Sequence, residues 1–352
     1  MEDNKIESLF DLYIKKDKDK ADTSFINFIQ NDFTRKDFEY LKAQEYNNKL
    51  VIEFKPTDNC NFNCSYCCFH NKKSKGMSEL TFKNFINFLE YNIENNIFPQ
   101  EEFFIFIYGG EPTMHPNLTK FIIELNEFKR THNKKINFLI QSNGSMWSLT
   151  KFKKEINILK NANVNFKFSF SYHPEEVKLN DLIPKIKYLI SEDAFDVLTY
   201  MLTISNIKKD IHMINFFESA NVPIYVRTIL QESELFNSDG KFKKYKKYIS
   251  TDKDDDSYIL TTKDANNKII NTKMSFEDLS TQGYLNFNGY NCSAGINSFL
   301  ISPEGEIYRC DMDYLYKKNR LHDVNSVQEY KPSKCLKCTH TFCSIYFSDK
   351  WK

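Results

Sequence analysis

The stretch DNCNFNCSYCCFH, residues 58–70, follows directly on the apolar run LVIEFKPT (50–57) and sets Cys60, Cys64 and Cys67 in a C-x3-C-x2-C spacing. Three thiolates on one short loop can hold three corners of a 4Fe–4S cube, leaving the fourth iron without a protein ligand. An iron with an open position can bind a small molecule and pass it an electron, so the loop reads as catalytic. Zinc is the competing occupant, with Cys68 or His70 as a fourth ligand, but structural zinc favours two close pairs of Cys or His.

Cysteine placement along the rest of the chain favours metal as well. All nine cysteines fall at 60–68 or at Cys292, Cys310, Cys335, Cys338 and Cys343, and residues 69–291 hold none. Scattered structural thiols would not segregate in this way, so two metal centres are the economical reading. The 352 residues suffice for one large domain and a smaller one. With 48 Lys and Arg against 47 Asp and Glu, the net charge of +1 gives a polyanion no field to follow, which disfavours a nucleic-acid partner. No apolar run approaches the roughly 18 residues that span a bilayer, and MEDNKIESLFDLYIKK lacks the basic-then-apolar order of a secretory signal. The expectation is a cytoplasmic protein without a membrane partner, where thiols stay reduced and bind metal rather than pair.

From residue 50 a regular alternation begins. Candidate strands are LVIEFKPT, EFFIFIYGG (102–110), INFLIQSNG (136–144), VNFKFSFSYH (164–173), DVLTYMLTI (196–204) and PIYVRTIL (223–230). Between them lie amphipathic stretches at 78–95, 117–130, 148–161, 179–192 and 206–220, the first three opening on the helix caps Ser78, Asn117 and Ser148. Strand–helix repeats with near-continuous apolar strands predict a parallel sheet with right-handed crossovers, an α/β fold of the partial (β/α)6 TIM-type barrel. Its working face is the C-terminal end of the strands, where the cysteine loop, GGEPT, QSNG and SYHP all fall. The expected organisation is a helical cap over 1–48, a barrel core over 49–232, a connecting loop and hairpin over 233–290 and a Cys-rich domain over 291–352. Within the connection, DSYILTTKDANNKII reads as a hairpin turning at Asp264–Asn267.

C-x3-C-x2-C after the first strand, with Gly109-Gly110-Glu111-Pro112 after the second, resembles the radical S-adenosylmethionine (SAM) superfamily. The resemblance implies that Cys60, Cys64 and Cys67 bind a catalytic 4Fe–4S cluster whose fourth iron is chelated by SAM. It places Tyr66 near the adenine, the GGEP turn at the methionine amino group and Arg227 at the methionine carboxylate. Ser142, Asn143 and Ser169 or Ser171 would meet the ribose. Bare backbone at Gly109 and Gly110 can approach a ligand closely, and the Glu111 carboxylate suits an ammonium. For Ser142, Asn143, Ser169, Ser171 and Arg227 a structural role competes, since polar residues at strand ends often satisfy backbone groups. Tyr172 and His173 point toward the expected substrate cavity, with a purely structural histidine as the competing reading.

The C-terminal block NCSAGINSFLISPEGEIYRC, with C-x2-C-x4-C following, resembles the SPASM/Twitch extensions of that superfamily, which carry auxiliary 4Fe–4S clusters. Five cysteines rather than about seven favour one auxiliary cluster, held by Cys292, Cys310, Cys335 and Cys338, with Cys343 as alternate ligand or bystander. Zinc held by the last three cysteines and His340 competes. The family likeness implies reductive cleavage of SAM to a 5′-deoxyadenosyl radical that abstracts a substrate hydrogen, with flavodoxin or ferredoxin as electron donor. C-x17-C followed by C-x2-C is similar to Twitch-type aminoglycoside-precursor dehydrogenases. It implies two-electron oxidation of a small sugar- or aminocyclitol-like molecule. Crosslinking or epimerisation of a ribosomally made peptide is the alternative, and a chaperone-like activator of a partner enzyme a third.

Overall fold

The computed structural model describes residues 38–43, 48–64, 67, 75–202, 217, 222–228, 258–274, 279, 284, 286–326, 336–340 and 349–351. In chain order the elements run β1 (Tyr40–Ala43), β2 (Lys49–Phe54), α1 (Glu79–Glu94), β3 (Glu102–Ile107), α2 (Leu118–Asn126), α3 (Phe128–Thr131), β4 (Lys135–Ser142), α4 (Leu149–Asn161), β5 (Phe166–Tyr172), α5 (Leu179–Ser191), β6 (Phe195–Leu202) and β7 (Ile224–Thr228). There follow β8 (Tyr258–Lys263), β9 (Ile269–Met274), β10 (Asn291–Cys292), β11 (Ser298–Ile301), β12 (Glu306–Tyr308), α6 (Asp311–Leu315), β13 (Arg320–Asp323), β14 (Leu336–Lys337) and β15 (Lys350–Trp351). The amphipathic stretch 206–220 and the motif residues Tyr66, Cys68, His70, Cys335 and Cys343 lie outside the described residues, Phe217 excepted.

Strands β2 to β7 pair in sequence order, every neighbour parallel, as the alternation of apolar strands and amphipathic helices predicts for a partial barrel. The helices form where their apolar spacing says they should. Ser78 accepts from the Thr81 amide at 3.0 Å and Ser148 from the Lys151 amide at 3.3 Å, capping α1 and α4. Asn117 occupies the cap position of α2, but its amide reaches Glu79 instead, at 3.1 Å. Aromatic side chains weld these helices to the sheet. Phe82 of α1 stacks on Phe121 of α2 at 3.8 Å, and Phe152 of α4 meets Phe168 and Phe170 of β5 at 5.5 and 5.9 Å.

Pairing also crosses the boundaries that composition suggests. The hairpin β11–β12 turns at the PEG sequence, and β11 lies parallel against the free side of β2, with Val51 opposite Ser298 and Phe54 opposite Ile301. The sheet thus has nine strands in the order β13-β12-β11-β2-β3-β4-β5-β6-β7. Flanked on both sides, β2 is buried along its last five residues.

A second sheet, β14-β10-β15-β1-β8-β9, gathers strands from three remote parts of the chain. Tyr40–Ala43, inside the segment whose composition reads as helical, is one of them, pairing antiparallel with β8 and β15. A four-residue strand shows no period, and its partners lie more than two hundred positions away, so local spacing could not reveal it. Phe38 stacks on Tyr290 at 4.1 Å, and its amide donates to the Tyr290 hydroxyl at 3.0 Å, tying this sheet's start to its end. The hairpin β8–β9 turns at Asp264, whose carboxylate accepts from the Asn266 and Lys268 amides at 2.8 and 2.9 Å.

A buried polar cluster lies where β2, the loop after it and α6 meet. Lys55, with no exposed surface, pairs with Asp58 at 3.0 Å and sits 4.2 Å from the centre of the Tyr314 ring. Asp58 also accepts the Tyr314 hydroxyl. Glu53 accepts the Tyr108 hydroxyl, and burial, together with Asp311, pushes its carboxyl from 4.5 up to about 8. The folded chain therefore keeps a proton there that the unfolded chain releases above about pH 4.5. Stability from this group is full below that pH and is lost as the pH rises, until the folded carboxyl titrates near pH 8. Urea unfolding across this range is expected to show the decline in the wild type and a flatter profile in Glu53→Gln. Parallel profiles would remove Glu53 as its cause.

Candidate functional site

Four successive loops at the C-terminal ends of β2, β3, β4 and β5 are laced together by hydrogen bonds. After β2, the chain carries Cys60, Cys64 and Cys67, all half-buried, with the Cys67 amide donating to the Cys64 carbonyl at 3.2 Å. After β3, the Gly110 amide donates to Thr57 O at 3.0 Å and the Glu111 amide to Asn59 O at 2.7 Å. The two glycines make this possible. Gly109 has φ +147°, and a Cβ there would lie 2.3 Å from Thr57 O; one on Gly110 would lie 2.2 Å from Asn59 O and 2.4 Å from Asp58 O. Their bareness serves, first, the apposition of the glycine turn and the backbone that leads into Cys60.

Glu111 is 1% exposed, and its carboxylate is directed into the protein. It accepts from Ser142 Oγ at 2.7 Å, the Asn143 amide at 2.6 Å, the Thr113 amide at 3.0 Å and the Thr113 hydroxyl. Burial pushes its pKa up, against the pull of these donors. A carboxylate so saturated is the knot between the loops after β3 and β4, a role the ammonium reading of this residue does not include. Pro112, also buried, opens the short 3₁₀ turn that Glu111 caps.

Ser142 and Asn143 are both buried at the end of β4. Ser142 Oγ receives the Gly144 amide at 2.9 Å. Asn143 Nδ2 donates to Asn61 Oδ1 at 3.0 Å, and lies 3.9 Å from Cys60 Sγ. Asn61 in turn donates to Ser145 Oγ at 2.8 Å. Sequence reasoning misses Asn61 and Ser145, although Asn61 sits inside the cysteine motif that it singles out and Ser145 directly follows QSNG.

On β5, successive side chains alternate faces. Phe168, Phe170 and Tyr172 share the face that packs on α4, and Tyr172 is buried with its ring 5.0 Å from that of Tyr200. Its expected place at the cavity is therefore corrected: strand parity assigns it to the core. Ser169, Ser171 and His173 share the opposite face. Ser169 Oγ donates to Val197 O at 3.2 Å, and Ser171 Oγ accepts from Gln141 at 2.7 Å. His173 Nδ1 lies 3.4 Å from Cys64 Sγ, its ring edge-on to Phe62, and burial drops its pKa to about 4, leaving a neutral imidazole beside the thiol. Glu176, three residues on, accepts the Asn63 amide at 2.9 Å and ties this loop to the cysteine loop. Arg227 occupies β7, beside Met201 of β6.

A second group of thiols gathers in the core of the second sheet. Cys292 and Cys338 are buried in the core of the second sheet, and Cys310 packs against the same cluster. The Cys338 amide donates to Tyr290 O at 2.7 Å, extending the β10–β14 ladder so that Cys292 and Cys338 fall on one face. Burial pushes the Cys338 thiol up to about 11, with Cys292 adding to the shift. Asp313 is fully buried; against the pull of burial, hydrogen bonds from His340 and Arg309 hold its carboxyl below the usual range.

Both donor sets fit the groups that the residues suggest. The first is three half-buried thiols on one loop, the composition that leaves a cluster iron open. The second is three gathered thiols beside a buried guanidinium, Arg309, which offsets thiolate charge.

The comparisons with known proteins bear on the stretch that holds the first of these. Residues 54–201 match the radical SAM superfamily. This span runs from the end of β2 into β6 and contains the cysteine loop, the glycine turn and the β4 and β5 loops. A 92-residue segment is 36% identical to the uncharacterized protein MJ0907 of Methanocaldococcus jannaschii, covering 26% of this chain and 29% of that protein. Solved structures of anSMEcpe with bound AdoMet, one of the hexahistidine-tagged protein and one of the native protein, are similar at 16% identity. The tagged form has a TM-score of 0.49 over 80% of this chain and 76% of that one. The native form has 0.38 over 79% and 78%. Among the described residues, no helix is long and apolar enough to cross a membrane.

Proposed function

We propose that this chain is a radical SAM enzyme that oxidises a small hydroxylated molecule by two electrons. The observation that carries the reading is the lacing of the cysteine loop to the Gly109–Pro112 turn and to Ser142–Asn143. Cys60, Cys64 and Cys67 would hold the catalytic 4Fe–4S cluster; with SAM bound, that centre supplies one-electron cleavage of the sulfonium and, through it, hydrogen abstraction from substrate.

The chain's own groups do the rest. The turn after β3, fixed by Glu111, would present backbone to the methionine end of SAM. Asn143, positioned by Glu111 through its amide, would meet the ribose, and His173 would orient Cys64. Gln141, Ser169 and Ser171 make the inner face polar, which suits a substrate rich in hydroxyls. Cys292, Cys310 and Cys338 would hold an auxiliary cluster supplying an acceptor for the second electron, and a flavodoxin or ferredoxin would serve as donor for the first. The protein reconstituted anaerobically and reduced with dithionite is expected to convert SAM to methionine and 5′-deoxyadenosine. A fully iron-loaded protein that leaves SAM intact would overturn the reading.

A further inference from the structure

The loop after β5 grips the cysteine loop at two consecutive residues. Glu176 Oε1 accepts the Asn63 amide at 2.9 Å, and His173 Nδ1 stands 3.4 Å from the sulfur of Cys64. The turn that carries both is itself tied, since the amides of Glu176 and Val177 donate to the His173 carbonyl at 3.0 and 3.2 Å. Pro174 confines the backbone of His173 to the extended region, which carries the direction of β5 through to the imidazole. Phe62, edge-on with 5.8 Å between ring centres, limits the swing of that ring.

The chemistry of Cys64 decides which partner gives the hydrogen. A thiol could supply it, but an iron-bound thiolate has none to give. There the imidazole must be the donor, through Nδ1–H, and the sulfur accepts. A hydrogen bond of this kind draws negative charge from the metal centre. The reduced cluster holds one electron more than the oxidised one, so the bond is stronger after reduction and the potential rises. Cys60 differs in the source of its nearest donor, the Phe62 amide of its own loop at 3.4 Å. Cys64 meets a side chain from another loop, and by strand parity that side chain shares its face with Ser169 and Ser171.

We propose that His173 donates a hydrogen bond to the Cys64 thiolate of the catalytic cluster and raises that cluster's reduction potential. This rests on the reading that Cys60, Cys64 and Cys67 hold the cluster, and it gives His173 a redox role beyond orienting Cys64. His173 is thus a positioning residue whose N–H tunes how readily the cluster takes its electron from the donor.

The test is a redox titration of the full chain, reconstituted anaerobically with iron and sulfide and followed by EPR. The signal of the catalytic cluster is the one absent from the protein with Cys60, Cys64 and Cys67 all changed to Ala. His173→Phe keeps a ring against Phe62 but has no N–H, and is expected to keep its iron. At a fixed potential its ratio of reduced to oxidised cluster should fall about tenfold, a shift of about 59 mV for one electron. His173→Asn, whose Nδ2 can replace Nδ1 as donor, is expected to hold the wild-type midpoint. An iron-loaded His173→Phe with an unshifted midpoint, or an equal shift in both variants, overturns the hydrogen bond and leaves the cluster standing. The wild type grown with ring-15N histidine gives a second reading that needs no variant to fold. Pulsed EPR of the reduced catalytic cluster is expected to show a weak 15N coupling, and its absence overturns the proposal as well. A wild type whose spectrum matches that of the triple variant overturns instead the reading that the cysteine loop holds a cluster.

Discussion

Changing Cys60, Cys64 and Cys67 together to Ala is expected to abolish SAM cleavage while leaving a second iron centre in place. If each set of thiols holds one four-iron cube, the reconstituted wild type carries about eight irons per chain and the variant about four. Loss of cleavage should be complete, since without those thiols no open iron stands beside the glycine turn. The fold should survive, because the three side chains are only half-buried and lie in a loop rather than in the sheet. Iron analysis, the visible spectrum and product chromatography decide the matter together. Residual cleavage above the buffer blank would show that the open iron is held elsewhere, and a fall to no iron at all would show that the C-terminal thiols hold none.

Gly110→Ala is expected to lower SAM cleavage by about 100-fold or more without touching any ligand. The new Cβ would stand 2.2 Å from Asn59 O and 2.4 Å from Asp58 O. Both are backbone atoms, so no side chain can swing away to relieve the contact. The turn after β3 and the loop backbone leading into Cys60 must separate, breaking the bonds that Gly110 and Glu111 donate across the gap at 3.0 and 2.7 Å. A displacement of about 1 Å between a bound reactant and its catalytic centre is enough for a loss of this size. Overpacking should also cost about 1–3 kcal/mol of stability. Iron content is expected to stay near that of the wild type, which separates this defect from loss of the cluster. Near-normal cleavage would mean that the close apposition of turn and loop is dispensable.

What could be read from sequence depended on the range of the interaction. The strands β2 to β7 and the helices α1 to α5 were legible because apolar spacing is a local property, repeated in unit after unit. The cysteine loop and glycine turn were legible for the same reason, each being a short run with its chemistry in adjacent residues. The partners of those motifs were not. Asn143 meets Asn61 across 82 positions, and Tyr314 reaches Asp58 across 256. Strands of two to four residues such as β1, β10, β14 and β15 carry no period, so the second sheet, its β8–β9 hairpin apart, was invisible until its pieces were brought together. Glu111 was found but read for its charge alone, because two of the four donors that converge on it come from Ser142 and Asn143, whose approach only folding creates. Lys55 and Asp58, charged residues directly after a strand of near-continuous apolar character, were the one available hint of the buried cluster with Tyr314.

The parallel pairing of β2 with β11 sets a timetable for the chain's birth on the ribosome. The strand that leads into the catalytic loop is among the first made, yet the neighbour that covers one of its edges is synthesised roughly 250 residues later. At about 5–20 residues per second, that edge waits on the order of 10–50 s for its partner. During this interval a run of Leu, Val, Ile and Phe stands with backbone donors and acceptors bare along one side, an invitation to pair with another nascent chain. Translation that stalls or terminates before residue 301 makes the exposure permanent. Truncated chains should therefore collect with chaperones or in aggregates rather than accumulate as free barrels, and holding back cluster insertion until the last strands are made would spare the cofactor that fate.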